Sequence, residues 1–138
     1  MKTEDKELLL KDLCARLPYE VCVELSNHHL VKHIYSIKSI SMENGWTTGV
    51  LECAGRKKIY SAKIEDVKPY LCPMSSMTEE EQKEYHKTFR AEPYGNGYVY
   101  VESVKSFDWL NAHHFDYRGL IDKGLAIEVT EDNDPYKD

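Results

Sequence analysis

The densest cluster of side chains able to do chemistry is Asn111-Ala112-His113-His114-Phe115-Asp116-Tyr117-Arg118. Two imidazoles, a carboxylate and a guanidinium in one short segment could hold a metal ion, or an anion through Arg118. The spacing weighs against the metal. Adjacent residues on a helix point about 100° apart, so His113 and His114 do not turn to one ion. The simpler reading is a helix C-terminus, where histidines meet the negative end of the dipole and Asp116 opens a turn. Structural use is the favoured reading. His113, His114, Asp116 and Arg118 are the residues a ligand or partner would meet, and no catalytic residue is assigned.

A second histidine set, His28, His29 and His33, carries the i, i+4 spacing by which paired histidines bind zinc on a helix. Here the segment falls between predicted strands, where residues so spaced stand about 13 Å apart. The four cysteines, Cys14, Cys22, Cys53 and Cys72, contain no C-x-x-C pair. A zinc ribbon and a thioredoxin-like site therefore have no support, and no metal and no cofactor are expected.

Nucleophilic catalysis lacks its signature, since no G-x-S-x-G elbow occurs. Cys14 is expected in the core of the first helix. Gly95-Asn96-Gly97 offers only G-x-G, with no third glycine and no strand expected before it, so a turn is the reading. Arg56-Lys57-Lys58 is the one compact basic run. With Tyr60 nearby and Trp46 across a hairpin, it could touch a phosphate backbone and stack a base. Three cations are few for that task, and basic hairpin tips are commonly solvated edges.

These residues sit on elements that the pattern predicts. A helix is expected from about Glu4 to Leu17, with Thr3 as N-cap, Glu4 and Asp5 in its first turn, and Pro18 ending it. Leu9, Leu10, Leu13 and Leu17 make its apolar stripe. Residues 19–72 read as short strands. Val21, Val23 and Leu25 alternate with polar residues, and further strands cover 34–40, 46–53 and 57–63. Asn44-Gly45 and Gly55 supply turns. A one-turn helix then runs into an extended exit over 64–71.

Thr78 with Glu81 spells a capping box that starts a second helix, with Tyr85 and Phe89 as its contact face and Pro93 as its stop. Tyr94-Gly95-Asn96-Gly97 is a turn, and Tyr98–Val101 a strand. A third helix runs from Ser103 or Ser106 to His114, with Phe107, Leu110 and His114 in one stripe. Trp109 and Leu110 are expected on its buried side. Residues 125–129 read as a last strand, and the polar tail 130–138 as frayed.

The fold class is therefore α+β. It comprises an N-terminal helix, a small curled antiparallel sheet or SH3-like barrel, two further helices and a short C-terminal strand. One domain spans 1–138, β-rich over about 19–72 and helical over about 76–121.

The chain has 138 residues and a net charge of −6 from 24 acidic and 18 basic residues. That balance works against non-specific adhesion to nucleic acid or anionic lipid. The start, Met1-Lys2-Thr3-Glu4-Asp5-Lys6, is charged in both senses and does not read as a signal peptide. No apolar run is long enough to span a membrane. The expected compartment is the cytoplasm, with free thiols.

Three blocks carry a resemblance: Leu8–Tyr19, Pro69–Glu80 and Asp108–Ile121. Together they resemble an uncharacterised family of small proteins from gut anaerobic bacteria, associated with prophages or mobile elements. The resemblance implies no activity and carries no functional residue.

Two function classes follow. The leading one is a non-enzymatic interaction or regulatory module of a mobile element, whose partner is another protein. Eight of the ten tyrosines lie from Tyr60 onward, and clustered tyrosines suit protein interfaces as well as cores. The alternative is a small ligand-binding protein or enzyme with its site at His113–Arg118. Oligomeric state has no sequence signal.

Overall fold

A computed structural model describes residues 1–26, 34–43, 48–54 and 59–137. The elements are α1 (Thr3–Arg16), β1 (Cys22–Leu25), β2 (Tyr35–Glu43), β3 (Thr48–Ala54), β4 (Ile59–Lys63), β5 (Val67–Leu71), α2 (Glu79–Lys87), β6 (Arg90–Tyr94), β7 (Gly97–Val101), α3 (Val104–Ala112) and β8 (Ile127–Glu128). The class is α+β, as the sequence pattern predicts.

Strands β1 to β4 form an antiparallel meander, β5 crosses over to pair antiparallel with β1, and β8 joins β5 in parallel, giving the order β4-β3-β2-β1-β5-β8. The barrel expectation is corrected. Among the described residues β4 pairs only with β3, and β8 only with β5, so the curled sheet stays open. A short 3-10 turn at Ile64–Asp66 connects β4 to β5, which is the expected turn and extended exit.

The stripe of α1 lies on this sheet. Leu9, Leu10 and Leu13 are buried against Val21, Val23, Leu51, Ile64, Val67 and Leu71. Gly49 lets the helix come close, since a Cβ there would stand 2.7 Å from Leu10 Cδ2. Fully burying one leucine is worth about 2 kcal/mol, so these three dominate the seating of the helix. Three expectations for α1 change. Lys2 is the N-cap and Thr3 the first helical residue. Leu17 enters a 3-10 turn with Pro18, ahead of Glu20 at φ 54. Cys14 is only half-buried, because the buried face also takes Asp12 and Arg16.

A second core gathers Tyr85, Leu110 and Phe115, flanked by Met74, Met77, Phe89 and Trp109. The capping box of α2 is present: Thr78 N–H donates to Glu81 Oε1 at 3.0 Å, and Glu81 N–H to Thr78 Oγ1 at 3.1 Å. Pro93 does not end this helix. Thr88 closes it through an N–H donated to the Tyr85 carbonyl at 3.0 Å, and Pro93 sits inside β6. The face of α3 is also corrected. Ser106 and Leu110 are buried, Trp109 is half-buried and Phe107 is 42% exposed. His114 falls beyond the helix, at φ 63, so it never completes the expected stripe.

The tail is not frayed over its described part. Tyr136 stacks on His114 with ring centroids 3.6 Å apart. Its hydroxyl donates to the Tyr70 carbonyl at 2.7 Å and accepts from Cys22 N–H at 3.0 Å. One aromatic side chain thus holds a polar segment against β1 and β5.

Candidate functional site

The segment after α3 is placed by two strand-like backbone bonds. Cys72 N–H donates to the His114 carbonyl at 2.8 Å, and Asp116 N–H to the Cys72 carbonyl at 2.9 Å. The four candidate residues then turn to separate partners. His113 stacks on Trp109 at 4.0 Å, and its Nδ1 lies 2.9 Å from the Trp109 carbonyl. His114 faces Tyr136. Asp116 accepts from the N–H groups of Leu120 and Ile121, both at 2.9 Å, which is the turn-opening role its position suggests. Arg118 donates to Asp12 Oδ1 at 3.0 Å and to the Tyr117 hydroxyl at 2.8 Å.

Sequence reading overlooked the partner of Arg118. Asp12 and Arg16 are both fully buried. Arg16 Nε donates to Asp12 Oδ2 at 2.7 Å, and Arg16 Nη2 to the Phe115 carbonyl at 2.6 Å. One carboxylate therefore serves two guanidiniums and ties α1 to the segment after α3. The signal was present as an Asp–Arg pair at i, i+4 on one helix. The network is bonded within itself, although Arg16 Nη1 and His114 Nδ1 are buried without a hydrogen-bond partner among the described residues.

Burial pushes the His114 imidazole down to about 4, with Arg16 and His113 adding repulsion and Asp134 opposing them. Burial likewise holds the Cys72 thiol up at about 11, with Asp134 and Glu81 reinforcing it, so it stays protonated near neutrality. The histidine shift predicts acid sensitivity. Between about 6.5 and about 4 the unfolded chain takes up a proton that folded His114 refuses, so stability is lost as pH falls through that window. The loss should be on the order of 2 kcal/mol, after discounting for partial solvent contact. Urea midpoints at pH 7, 5.5 and 4.5 should show it for the wild type, and a smaller slope for His114→Asn. Equal slopes would remove His114 as the cause.

Among the described residues no group of three or more His, Cys, Asp or Glu is arranged to hold a metal. The basic interface expected at Arg56, Lys57, Lys58 and Trp46 lies outside the described residues, as does the His28, His29 and His33 set. The four cysteines are free. No helix among the described residues is long and apolar enough to cross a membrane.

A different surface emerges at β6 and β7. They form a hairpin with register Arg90↔Val101 to Tyr94↔Gly97, turning at Gly95-Asn96 with Gly95 at φ 58. That positive φ is what the first residue of a tight hairpin turn requires. Among the described residues neither strand pairs with anything else. Tyr94, Tyr98 and Tyr100 are 73%, 71% and 72% exposed. Tyr98 stands opposite Pro93 and Tyr100 opposite Ala91, so both rings rise over small neighbours on one face. Tyr94 and Val99 lie on the other face. The stems are clamped where they meet the helices: Ser103 Oγ donates to the Thr88 carbonyl at 2.6 Å, and the Tyr85 hydroxyl donates to Glu102. The tyrosine-rich half therefore divides, with Tyr70 and Tyr85 in the core and three tyrosines in solvent. The sequence signal for this hairpin was Gly-Asn between two runs that each carry tyrosine.

Compared with known protein families, with curated proteins and with solved structures, the chain matches none.

Proposed function

We propose that this protein is a non-enzymatic interaction module that binds another protein through the β6–β7 hairpin. The observation that carries the reading is the hairpin itself, with three tyrosines more than 70% exposed on a two-stranded unit that pairs with no other strand among the described residues. Tyrosine is over-represented at protein interfaces because it joins a large apolar area to a hydroxyl. An isolated two-stranded hairpin is marginal in water, so a partner that covers it also stabilises it. The resemblance to small mobile-element proteins supports an accessory role, and the free thiols support a reducing compartment such as the cytoplasm.

The test is affinity capture from an extract of the native host with wild type and with Tyr98→Ala/Tyr100→Ala, quantified by mass spectrometry. A protein captured by the wild type should fall at least tenfold with the variant, whose thermal midpoint should stay within about 2 °C because both rings are in solvent. Equal capture by both forms overturns the reading.

A further inference from the structure

We infer that the free edge of β7 receives an extended segment of a partner protein, and that acidic side chains of that segment reach a cation-lined cavity at the base of the hairpin. This deepens the proposed function and rests on it.

The two edges of the hairpin are unequal. β6 reads Arg90-Ala91-Glu92-Pro93-Tyr94. It carries an Arg90–Glu92 ion pair at 3.0 Å and a proline without an N–H, both of which blunt a strand edge. β7 reads Gly97-Tyr98-Val99-Tyr100-Val101 and has no charge and no proline. Tyr98 to Val101 are all β-formers, and among the described residues the strand's only partner is β6. Proteins commonly protect such an edge. Strand addition is the recognition mode that uses it, with backbone bonds supplying affinity and alternate side chains supplying specificity. An added strand would lay alternate residues beside Tyr98 and Tyr100 on one face and beside Val99 on the other.

The charge of the incoming segment follows from what lies at the end of β7. An open cavity of about 410 Å³ is lined there by Lys87, Thr88, Phe89, Arg90, Ser103, Val104 and Lys105. Three of its lining residues are cations and none is an anion. Arg90 is engaged by Glu92, whereas Lys87 and Lys105 make no ion pair among the described residues. Val104 is exposed and gives the rim an apolar lip. β7 is followed by Glu102, whose carboxylate accepts from the Tyr85 hydroxyl, and then by Ser103–Lys105, so a strand laid along its edge meets the lysine-bearing rim within a few residues. Carboxylates placed there gain a favourable local potential on a chain whose overall charge is negative, which gives selectivity for that end of the strand.

The probe is a fluorescein-labelled heptapeptide of alternating Glu and Val, compared with its Lys and Val counterpart and with a labelled single-stranded oligonucleotide. Anisotropy at low salt should show binding of the acidic peptide, at least fivefold tighter than the basic one and weakened at least fivefold by Lys87→Ala/Lys105→Ala. The amides of Gly97–Val101 should gain hydrogen-exchange protection on addition of the acidic peptide. The inference is overturned by no binding at 1 mM peptide (a probe ceiling of about −4 kcal/mol), by equal affinity for the two peptides, by tighter binding of the oligonucleotide, or by a β7 edge already protected in a stable dimer. Loss of the captured protein with the tyrosine variant, but full retention with the lysine variant, sinks the acidic-strand inference and leaves the interaction-module reading standing.

Discussion

Asp12→Ala should destabilise the protein by about 3–5 kcal/mol, the usual cost of stripping one partner from a buried ion pair. The effect comes mainly from what remains. Arg16 would stay fully buried with its charge uncompensated, holding, among the described residues, the Phe115 carbonyl and the face of Tyr117 at 5.4 Å. Arg118 would also lose its carboxylate, although its partial exposure lets water replace the bond. Against a total stability of about 5–15 kcal/mol, that loss shifts a denaturant midpoint severely. Replacing both charges, Asp12→Leu with Arg16→Met, should recover much of it, because the desolvation cost disappears with the pair. Guanidinium titrations of the three forms measure this. A single variant within about 1 kcal/mol of wild type would show that the buried pair is not held as described.

Leu110→Ala should cost about 2–5 kcal/mol, through lost transfer energy and the cavity left among Tyr85, Phe115 and Trp109. Phe107→Ala, one helical turn earlier, should cost under about 1 kcal/mol, because that residue is 42% exposed, so truncation leaves no enclosed cavity, and its ring contact is with Tyr117 at 5.4 Å. The contrast matters more than either value. A stripe through Phe107 and His114 makes Phe107 the costly site, whereas a buried Ser106–Leu110 face makes it the cheap one. Urea midpoints for the two variants decide between them.

The misassigned face has a local cause. Apolar spacing picks Phe107 and His114, but α3 stops at Ala112 and its small Ser106 packs inward. The Ser106 hydroxyl is needed there, since it accepts from Ser103 N–H and from Thr88 Oγ1, both at 2.8 Å. Hydropathy does not register a buried serine that is fully bonded. The same blindness hid Asp12 and Arg16, which look like surface charges until a third residue more than a hundred positions away supplies the partner. Strand β6 was missed because Arg-Ala-Glu-Pro has little β-propensity, while the turn beyond it was plain.

The amino-acid sequence by itself determined much of the local structure: the leucine stripe of α1, the short strands β1 to β4 with the extended exit after them, the Thr78–Glu81 box and the Gly95-Asn96 turn. Each depends on contacts within a few residues, where spacing and side-chain type suffice. Tertiary structure alone decided whether the sheet closes, which tyrosines are core and which are in solvent, and how the polar cluster is used. Those outcomes depend on residues far apart in the chain. Asp12 draws in Arg118, Tyr136 covers His114, and among the described residues β6 and β7 pair only with each other. Desolvation and partner choice are properties of the assembled chain, so the same histidines and tyrosines carry different meanings before and after it folds.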